Sequence, residues 1–193
     1  MKGIRNMNII ESVKNYVIKQ SEDFKSSDEA NYDFWNQHIK LVLDESIKLA
    51  KEYGADVEIV SLGALLHDIA LINRVGTRKD HHVNGEIIAR KVLDDLNYDP
   101  AKKERVLKCV YNHRSSKNAE SIEETCVADA DILAHFNNIP MLLHGAFFRN
   151  NVELNDVNEW LKAAFEKDYN DLSDRTKANF KERYELIRDI IIK

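Results

Sequence analysis

The residues from Ser61 to Ala70 include the first pair of side chains that could do chemistry. The stretch reads S-L-G-A-L-L-H-D-I-A, so His67 and Asp68 follow a run of apolar and small residues. If this run is a buried helix, both side chains enter the interior, where an unpaired carboxylate is costly. A metal ion is one of the few partners that satisfies an adjacent imidazole and carboxylate together. The sequence therefore predicts further ligands elsewhere in the chain.

Two other segments supply such side chains. His38 shares a stripe with Trp35 and Val42, because apolar residues recur there every three or four positions. Asp129 and Asp131 lie in the segment V-A-D-A-D-I-L. A helix turns by about 100° per residue, so these two acids face nearly opposite ways and both are not expected to reach one ion.

A pair of histidines, His81 and His82, opens another predicted helix. Gly85 and Ile88 follow His81 at spacings of four and seven, which puts His81 on the buried stripe and turns His82 about 100° away. His113 lies at the end of a further helix, one turn after Val110. We therefore favour His81 over His82 as a site residue, and His113 joins it as a candidate.

Helix signals extend over the whole chain. Apolar spacing predicts a helix over residues 6–20, a polar linker over 21–30 and further helices to the C-terminus. Gly54 is typical of a helix C-terminal cap, and Asp56 and Asp99-Pro100 are helix-start signals. Convincing β alternation is missing from the sequence, so the predicted fold class is all-α.

Five motifs in order resemble the HD-domain superfamily of metal-dependent phosphohydrolases. They are W-x-x-H ending at His38, G-A-L-L-H-D-I-A, H-H-x-x-G-E from His81, the pair His113-Arg114, and D-A-D ending at Asp131. The resemblance implies an HD-like helical bundle with its core at about residues 33–138. We expect one domain over residues 1–193, with the helix of residues 6–20 and the C-terminal helices of residues 141–193 packed on that core.

The resemblance also implies a metal centre. Its ligands would be His38, His67, Asp68 and Asp131, with His67 and Asp68 essential for catalysis and Asp131 as the family's last ligand. Two imidazoles and two carboxylates suit Mn, Co, Ni, Fe or Zn, with Mg as a further option, and we expect one ion rather than two. Such an ion lowers the pKa of a water and polarises a phosphoryl group. Three roles remain open for Asp129: it supports a ligand, it lies on a hydrated face, or it pairs with a cation.

Other residues are candidates for substrate binding. The resemblance implies one of two roles for extra histidines: they bind a second ion, or they face the phosphate of the substrate. The residues at the corresponding places here are His81 and His113. Arg114, Arg78 and Lys79 could clamp phosphate oxygens. Residues His82, His135 and His144 are expected to have structural or solvated roles.

Composition narrows the function classes. The net charge of −5 argues against nucleic-acid binding, which depends on clustered Lys and Arg. The sequence has neither a signal-peptide pattern nor a run of about 20 apolar residues, so we expect a cytoplasmic protein without a membrane partner. The charge-rich C-terminal helices are expected to form a solvated face, and a homodimer contact through them is the alternative.

The predicted function is metal-dependent hydrolysis of a phosphate ester in a nucleotide or another small phosphorylated compound. One alternative is an HD-type oxygenase with two irons. Another is a non-catalytic nucleotide-binding or regulatory HD module, because the chain departs from common family patterns: Asn73 stands in the region where nucleotidase-type members carry a Glu, and Ile132-Leu133 follows D-A-D where Arg-Leu is usual.

Overall fold

The computed structural model describes residues 8–28 and 31–191, and all regular secondary structure in these ranges is helical. The predicted all-α class is therefore confirmed. The α-helices are α1 (Ile9–Ser26), α2 (Lys40–Tyr53), α3 (Val57–Leu66), α4 (Ile69–Ile72), α5 (His81–Asp95), α6 (Pro100–Asn112), α7 (Ile122–Asn137), α8 (Ile139–His144), α9 (Val157–Asp171) and α10 (Asp174–Ile191). A π-helical turn, Trp35–Ile39, leads into α2, and another, Gly145–Arg149, follows α8.

The helix-end signals in the sequence have the roles predicted for them. Asp56 Oδ1 accepts hydrogen bonds from the first backbone N–H groups of α3, and Asp99 does the same at α6. Gly54 ends α2 with a left-handed φ of 77°, which costs glycine little because it has no Cβ.

Helix α3 is the central element. Every residue from Ile59 to Leu66 is buried, and α2, α6 and α7 all pack against this helix. Gly63 allows α6 to approach closely, since a Cβ there would lie 2.7 Å from the Cβ of Cys109 on α6. The missing side chain of Gly63 therefore makes room for the neighbouring helix. Because α3 is enclosed on all sides, its C-terminal end delivers His67 and Asp68 into the interior.

The N-terminal helix is longer than its sequence pattern predicted. We expected a helix over residues 6–20 and a polar linker over 21–30, but α1 continues to Ser26. Ser21 is buried, and the ring of Phe24 packs edge-on at 4.8 Å against Phe34, so tertiary packing overrides the polar composition of this turn. Residues 6, 7, 29 and 30 lie outside the described ranges.

Helices α1 and α9 share the hydrophobic core with the central helices. Val13 and Val17 of α1 are fully buried, as is Phe165 of α9, whose ring stacks on Phe136 of α7. Burial of one such aromatic side chain contributes about 1.5–3 kcal/mol. Within the described ranges, each helix is too short or too polar for a bilayer crossing.

Candidate metal centre

Four side chains predicted as metal ligands come together from three parts of the chain. His38 comes from the π-helical turn before α2, His67 and Asp68 from the break between α3 and α4, and Asp131 from the middle of α7. His38 Nε2 lies 3.1 Å from His67 Nε2, 3.5 Å from Asp68 Oδ2 and 3.0 Å from Asp131 Oδ1. The separations from His67 Nε2 to the same two carboxylate oxygens are 3.7 and 3.6 Å.

Backbone carbonyls fix the orientation of three histidine rings. Nδ1 of His67 donates to the carbonyl of Ala64, Nδ1 of His81 to that of Arg78 and Nδ1 of His113 to that of Val110, at 2.6–2.7 Å. Each bond places the ring proton on Nδ1 and directs Nε2 into the cluster. This is the arrangement by which proteins orient metal-binding histidines.

The Nε2 atoms of these rings come too close for neutral histidines without a cation between them. His81 Nε2 and His113 Nε2 lie 3.0 Å apart, and with Nδ1 protonated on both rings two lone pairs would face each other. Burial lowers the pKa of His113 to about 4, which keeps that ring neutral. Burial opposes charge on His81 as well, but its hydrogen bond to Asp68 raises its pKa. A proton on His81 relieves the contact, and a divalent cation would relieve it with both rings neutral.

Asp68 connects two groups of histidines. Its Oδ2 atom faces His38 and His67, whereas its Oδ1 atom lies 3.2 Å from His81 Nε2 and 3.8 Å from His113 Nε2. Burial would raise the pKa of Asp68, but the surrounding histidines, His67 first, hold it well below its usual range. The carboxylate is therefore charged and has one oxygen for each group.

Two buried atoms of the cluster lack a hydrogen-bond partner among the described residues. They are His38 Nδ1 and Asp131 Oδ1, although the latter lies 3.0 Å from His38 Nε2. Burial lowers the pKa of His38. It would raise the pKa of Asp131, but the His38 contact and neighbouring histidines hold that pKa well below its usual range. Neutral imidazoles and charged carboxylates are the protonation states that metal ligands require.

The donor set fits a metal ion. Within the described residues, two groups of side chains, His38–His67–Asp68 and Asp68–His81–His113, each place their ligating atoms within 4.8 Å of one another. A third such group combines His38 and Asp131 with His135. Mixed imidazole and carboxylate donors suit first-row transition metals and do not distinguish among them.

A cavity of about 390 Å³ opens onto the cluster. The predicted substrate-binding residues His81, His113, Arg114, Arg78 and Lys79 all line it. The side chain of Arg114 is held by a hydrogen bond from Nη1 to the Lys79 carbonyl at 3.0 Å. The cavity is therefore rimmed with cationic groups above a floor of histidines and carboxylates.

Sequence reasoning missed several residues of this cavity. Arg149 lines it from the π-helical turn after α8, with its guanidinium 4.4 Å from the ring centre of Tyr32, which also lines it. His135 was expected to be structural or solvated, but it lines the cavity and its Nδ1 pairs with Asp168 Oδ2 at 2.8 Å. Burial lowers the pKa of His135, but Asp168 and Asp131 together raise it to about 9. The spacing of His135 one turn after Asp131 was the only signal in the sequence.

Two of the remaining histidines, His82 and His144, and the acid Asp129 lie outside the cluster. His82 turns away from it and its ring lies 5.2 Å from that of Tyr111, while His144 stacks between Tyr32 and Phe148. Asp129 is fully buried and accepts hydrogen bonds from hydroxyl groups of Ser116, Ser173 and Thr176, rather than facing water or a cation.

Comparisons with known proteins agree with this fold. The crystal structure of an HD-superfamily hydrolase from Bacillus thuringiensis is similar to this one, with a TM-score of 0.67 and 21% sequence identity. The match covers 94% of this chain and 92% of the hydrolase chain. A predicted HD superfamily hydrolase from an uncultured Thermotogales bacterium matches 95% of each chain, with a TM-score of 0.59 and 19% identity. At these identities the likeness establishes the fold alone.

Curated relatives share about half of this chain. Ribonuclease Y from Treponema denticola is 35% identical over 98 residues, which are 51% of this chain and 18% of the relative. A tRNA (cytidine(56)-2'-O)-methyltransferase from Thermoplasma volcanium is 33% identical over 118 residues, 52% of this chain and 32% of the relative. The chain thus spans less than a third of the length of these relatives. The HD domain family model matches residues 36–135, which include His38, His67, Asp68 and Asp131, and the chain belongs to the HD domain family.

Proposed function

We propose that this protein is a metal-dependent phosphohydrolase that cleaves a phosphate ester of a nucleotide or another small phosphorylated compound. The observation that carries the proposal is the convergence of buried histidine Nε2 atoms on two charged carboxylates beneath a cationic rim. In this proposal His38, His67, Asp68 and Asp131 hold the ion. When bound, such an ion supplies a Lewis acid and lowers the pKa of a water toward neutrality.

The chain's own cations bind and orient the substrate. Arg78, Lys79, Arg114 and Arg149 line the cavity, and none of them forms an ion pair with a carboxylate in the part of the chain that the structure describes. In a protein of net charge −5, four such cations around one cavity favour an anionic substrate. The guanidinium groups can contact two phosphate oxygens at once. They would hold the phosphorus atom above the cluster and keep its ester bond in line for attack.

A second ion position is supported by the shared carboxylate. Asp68 Oδ1 and the close Nε2 atoms of His81 and His113 form a group beside the first one. The sequence led us to expect one ion, and measurement of metal content per chain decides between one and two. If a second ion binds, His81 and His113 act as ligands rather than as phosphate contacts.

The same arrangement favours one other function. An oxygenase with two irons needs both extra histidines and a carboxylate between the two positions, and Asp68 lies between them here. Such an enzyme requires iron and loses activity without oxygen. Turnover of a phosphate ester under nitrogen with a redox-inactive ion, such as Zn²⁺, would exclude it as the main activity.

A hydrolase screen that varies the metal tests the proposed function. Metal-free protein is reloaded with each of Mn, Fe, Co, Ni, Zn and Mg, and p-nitrophenyl phosphate and a panel of nucleotides are offered to each form. We expect turnover with at least one ion, and loss of both bound metal and turnover in His67→Ala and Asp68→Ala. The matched control is Asp129→Asn, whose buried carboxylate contacts no histidine of the cluster. Turnover by His67→Ala and Asp68→Ala at the parental rate would contradict the proposal.

A further inference from the structure

His135 is oriented in the same way as the other histidines of the cluster, but its partner is a carboxylate. Nδ1 of His135 donates to Asp168 Oδ2 at 2.8 Å, so Nε2 is the nitrogen that faces the cluster, 3.9 Å from Asp131 Oδ1. The three histidines held by backbone carbonyls have a peptide oxygen in the place of Asp168. A carboxylate that accepts from Nδ1 fixes the ring and raises its basicity as a metal ligand.

The surroundings of the His135 ring attract a cation. Asp168 is 8% exposed and the side chain of Asp131 is 14% exposed, so water screens neither carboxylate strongly. The Oδ1 atom of Asp131 that faces His135 is buried and has no hydrogen-bond partner in the described part of the chain. In the metal-free protein a proton on His135 Nε2 meets this demand. A metal ion displaces such a proton when it binds a histidine.

His38 joins His135 to the candidate metal centre. The ligating atoms of His38, Asp131 and His135 lie within 4.8 Å of one another, and so do those of His38, His67 and Asp68. His38 Nε2 lies 3.0 Å from Asp131 Oδ1 and 3.1 Å from His67 Nε2, so one nitrogen faces both groups. Because one imidazole nitrogen binds one ion, the two groups describe a single ion with donors on both sides of His38.

A fifth protein donor changes which ions the centre suits. Zinc sites in proteins are almost always completed by four ligands. Manganese and iron bind nitrogen and oxygen donors in sites with six ligands, including open positions for water or substrate. Three imidazoles and two carboxylates around one ion leave one such position. The donor count therefore favours Mn²⁺ or Fe²⁺ over Zn²⁺.

We propose that His135 is a fifth protein ligand of the ion at the candidate metal centre and that Asp168 positions its ring. The ligand role rests on the proposed function for the presence of the ion, but not for the reaction that the ion supports. Asp168 belongs to α9 and lies outside residues 36–135, which the HD domain model matches. A helix beyond the family's common domain thus takes part in the metal centre of this chain.

Metal affinity and the visible absorption of bound Co²⁺ test the ligand role without measuring turnover. The metal-free parent, His135→Ala and Asp168→Asn are titrated with Mn²⁺ and Co²⁺ in competition with a chelator. We expect His135→Ala to bind Mn²⁺ about a hundredfold more weakly and to shift the Co²⁺ absorption bands, because a nitrogen donor is lost. Asp168→Asn should bind about tenfold more weakly, since its amide oxygen still accepts from Nδ1 but carries no charge.

The matched control is His82→Ala, because the His82 ring packs 5.2 Å from that of Tyr111 and turns away from the cluster. This variant should keep the parental affinity and Co²⁺ spectrum. If the bond between His135 and Asp168 serves packing alone, His135→Ala and Asp168→Asn will lower the free energy of unfolding and leave the affinity and the spectrum unchanged. That result would overturn the ligand role.

Nuclear magnetic resonance of the parent decides the question even if the His135 variants do not fold. The protein is labelled with ¹⁵N and loaded with ¹¹³Cd²⁺, a diamagnetic ion that accepts six ligands. We expect a scalar coupling between the cadmium nucleus and Nε2 of His135. Turnover of a phosphate ester by a parent that keeps a proton on this Nε2 when loaded would sustain the hydrolase and refute the ligand. Cadmium coupling to His135 without turnover of any ester would do the reverse.

Discussion

Asp129 and Asp131 lie two residues apart on α7, and their surroundings differ in kind. Asp129 accepts hydrogen bonds of 2.5 Å from the hydroxyl groups of Ser116, Ser173 and Thr176 and one of 2.9 Å from the backbone N–H of Ser173. Asp131 faces histidine rings instead, and its Oδ1 atom has no hydrogen-bond partner among the described residues. One acid is complete with donors from the protein, whereas the other is not.

The difference shows how a structural carboxylate is distinguished from a candidate ligand. Hydroxyl and backbone amide groups donate to the carboxylate of Asp129, so this carboxylate needs no cation. The same hydrogen bonds connect α7 to the start of α10. Around Asp131, His38 Nε2 lies 3.1 Å from His67 Nε2 and 3.0 Å from Asp131 Oδ1, so a single proton on His38 Nε2 cannot serve both acceptors. The protein thus supplies a full set of donors to the fully buried Asp129, whereas the Oδ1 atom of the half-buried Asp131 has, among the described residues, only the Nε2 atom of His38 as close as 3.0 Å.

The largest effect expected from this comparison is on turnover. Asp131→Asn should lower kcat/KM for hydrolysis by about a thousandfold or more, because it removes a charged ligand from the cluster. Asp129→Asn should retain most of the parental kcat/KM per folded molecule. Steady-state kinetics of both variants in the activating metal, with folded protein quantified by circular dichroism, make the comparison. Equal losses in the two variants would remove the distinction.

The reverse pattern is expected for the stability of the metal-free protein. Asp129→Ala should lower the free energy of unfolding by about 3 kcal/mol, since it leaves several buried donors without an acceptor. Asp131→Ala should change the free energy of unfolding by about 1 kcal/mol or less, because without the cation the carboxylate of Asp131 has few favourable contacts to lose. Urea denaturation in the presence of a chelator measures both. A larger loss for Asp131→Ala would mean that the cluster is a structural network.

Metal addition should stabilise one variant and not the other. An ion at 100 times its Kd adds about 2.7 kcal/mol to the free energy of unfolding when it binds only the folded state. We expect this gain in the parent and in Asp129→Asn, and its absence in Asp131→Asn. Thermal unfolding with and without Mn²⁺ is the readout. A gain of the same size in Asp131→Asn would place the ion elsewhere.

The cationic rim should affect substrate binding more modestly. Arg149→Ala is expected to raise KM about tenfold, because it removes one charge-assisted contact to the phosphate. Arg188→Ala on α10 is the matched control, since its guanidinium pairs with Asp189 and lines none of the cavities around the cluster. Its KM should equal that of the parent. A larger effect of Arg149→Ala on kcat than on KM would indicate that this cation acts in the chemical step.

The sequence was most informative where a pattern is local. Helical spacing predicts that His38 and His81 lie on buried stripes, and the turn of about 100° per residue predicts that Asp129 and Asp131 face different surroundings. Both inferences depend on neighbours within one helix. The extension of α1 to Ser26 was missed because the packing of Phe24 on Phe34 joins segments that the spacing in α1 cannot relate.

Contacts between distant segments could not be read from the sequence. Asp168 pairs with His135 from 33 positions away, and Arg149 reaches the cavity from a π-helical turn beyond the HD motifs. The hydroxyl donors of Asp129 likewise come from the turn after α6 and from the start of α10. None of these partners has a spacing that points to the site, so only the three-dimensional structure identifies them.

Anomalous X-ray scattering from crystals of the metal-loaded protein tests the central claim most directly. Data collected on either side of the absorption edge of the loaded metal locate the ion without reference to activity. The account predicts an anomalous peak bounded by His38, His67, Asp68 and Asp131, with Asp129 still bonded to its three hydroxyl partners. An ion located away from the histidines, with His38 and His67 bonded directly to each other through a shared proton, would contradict it.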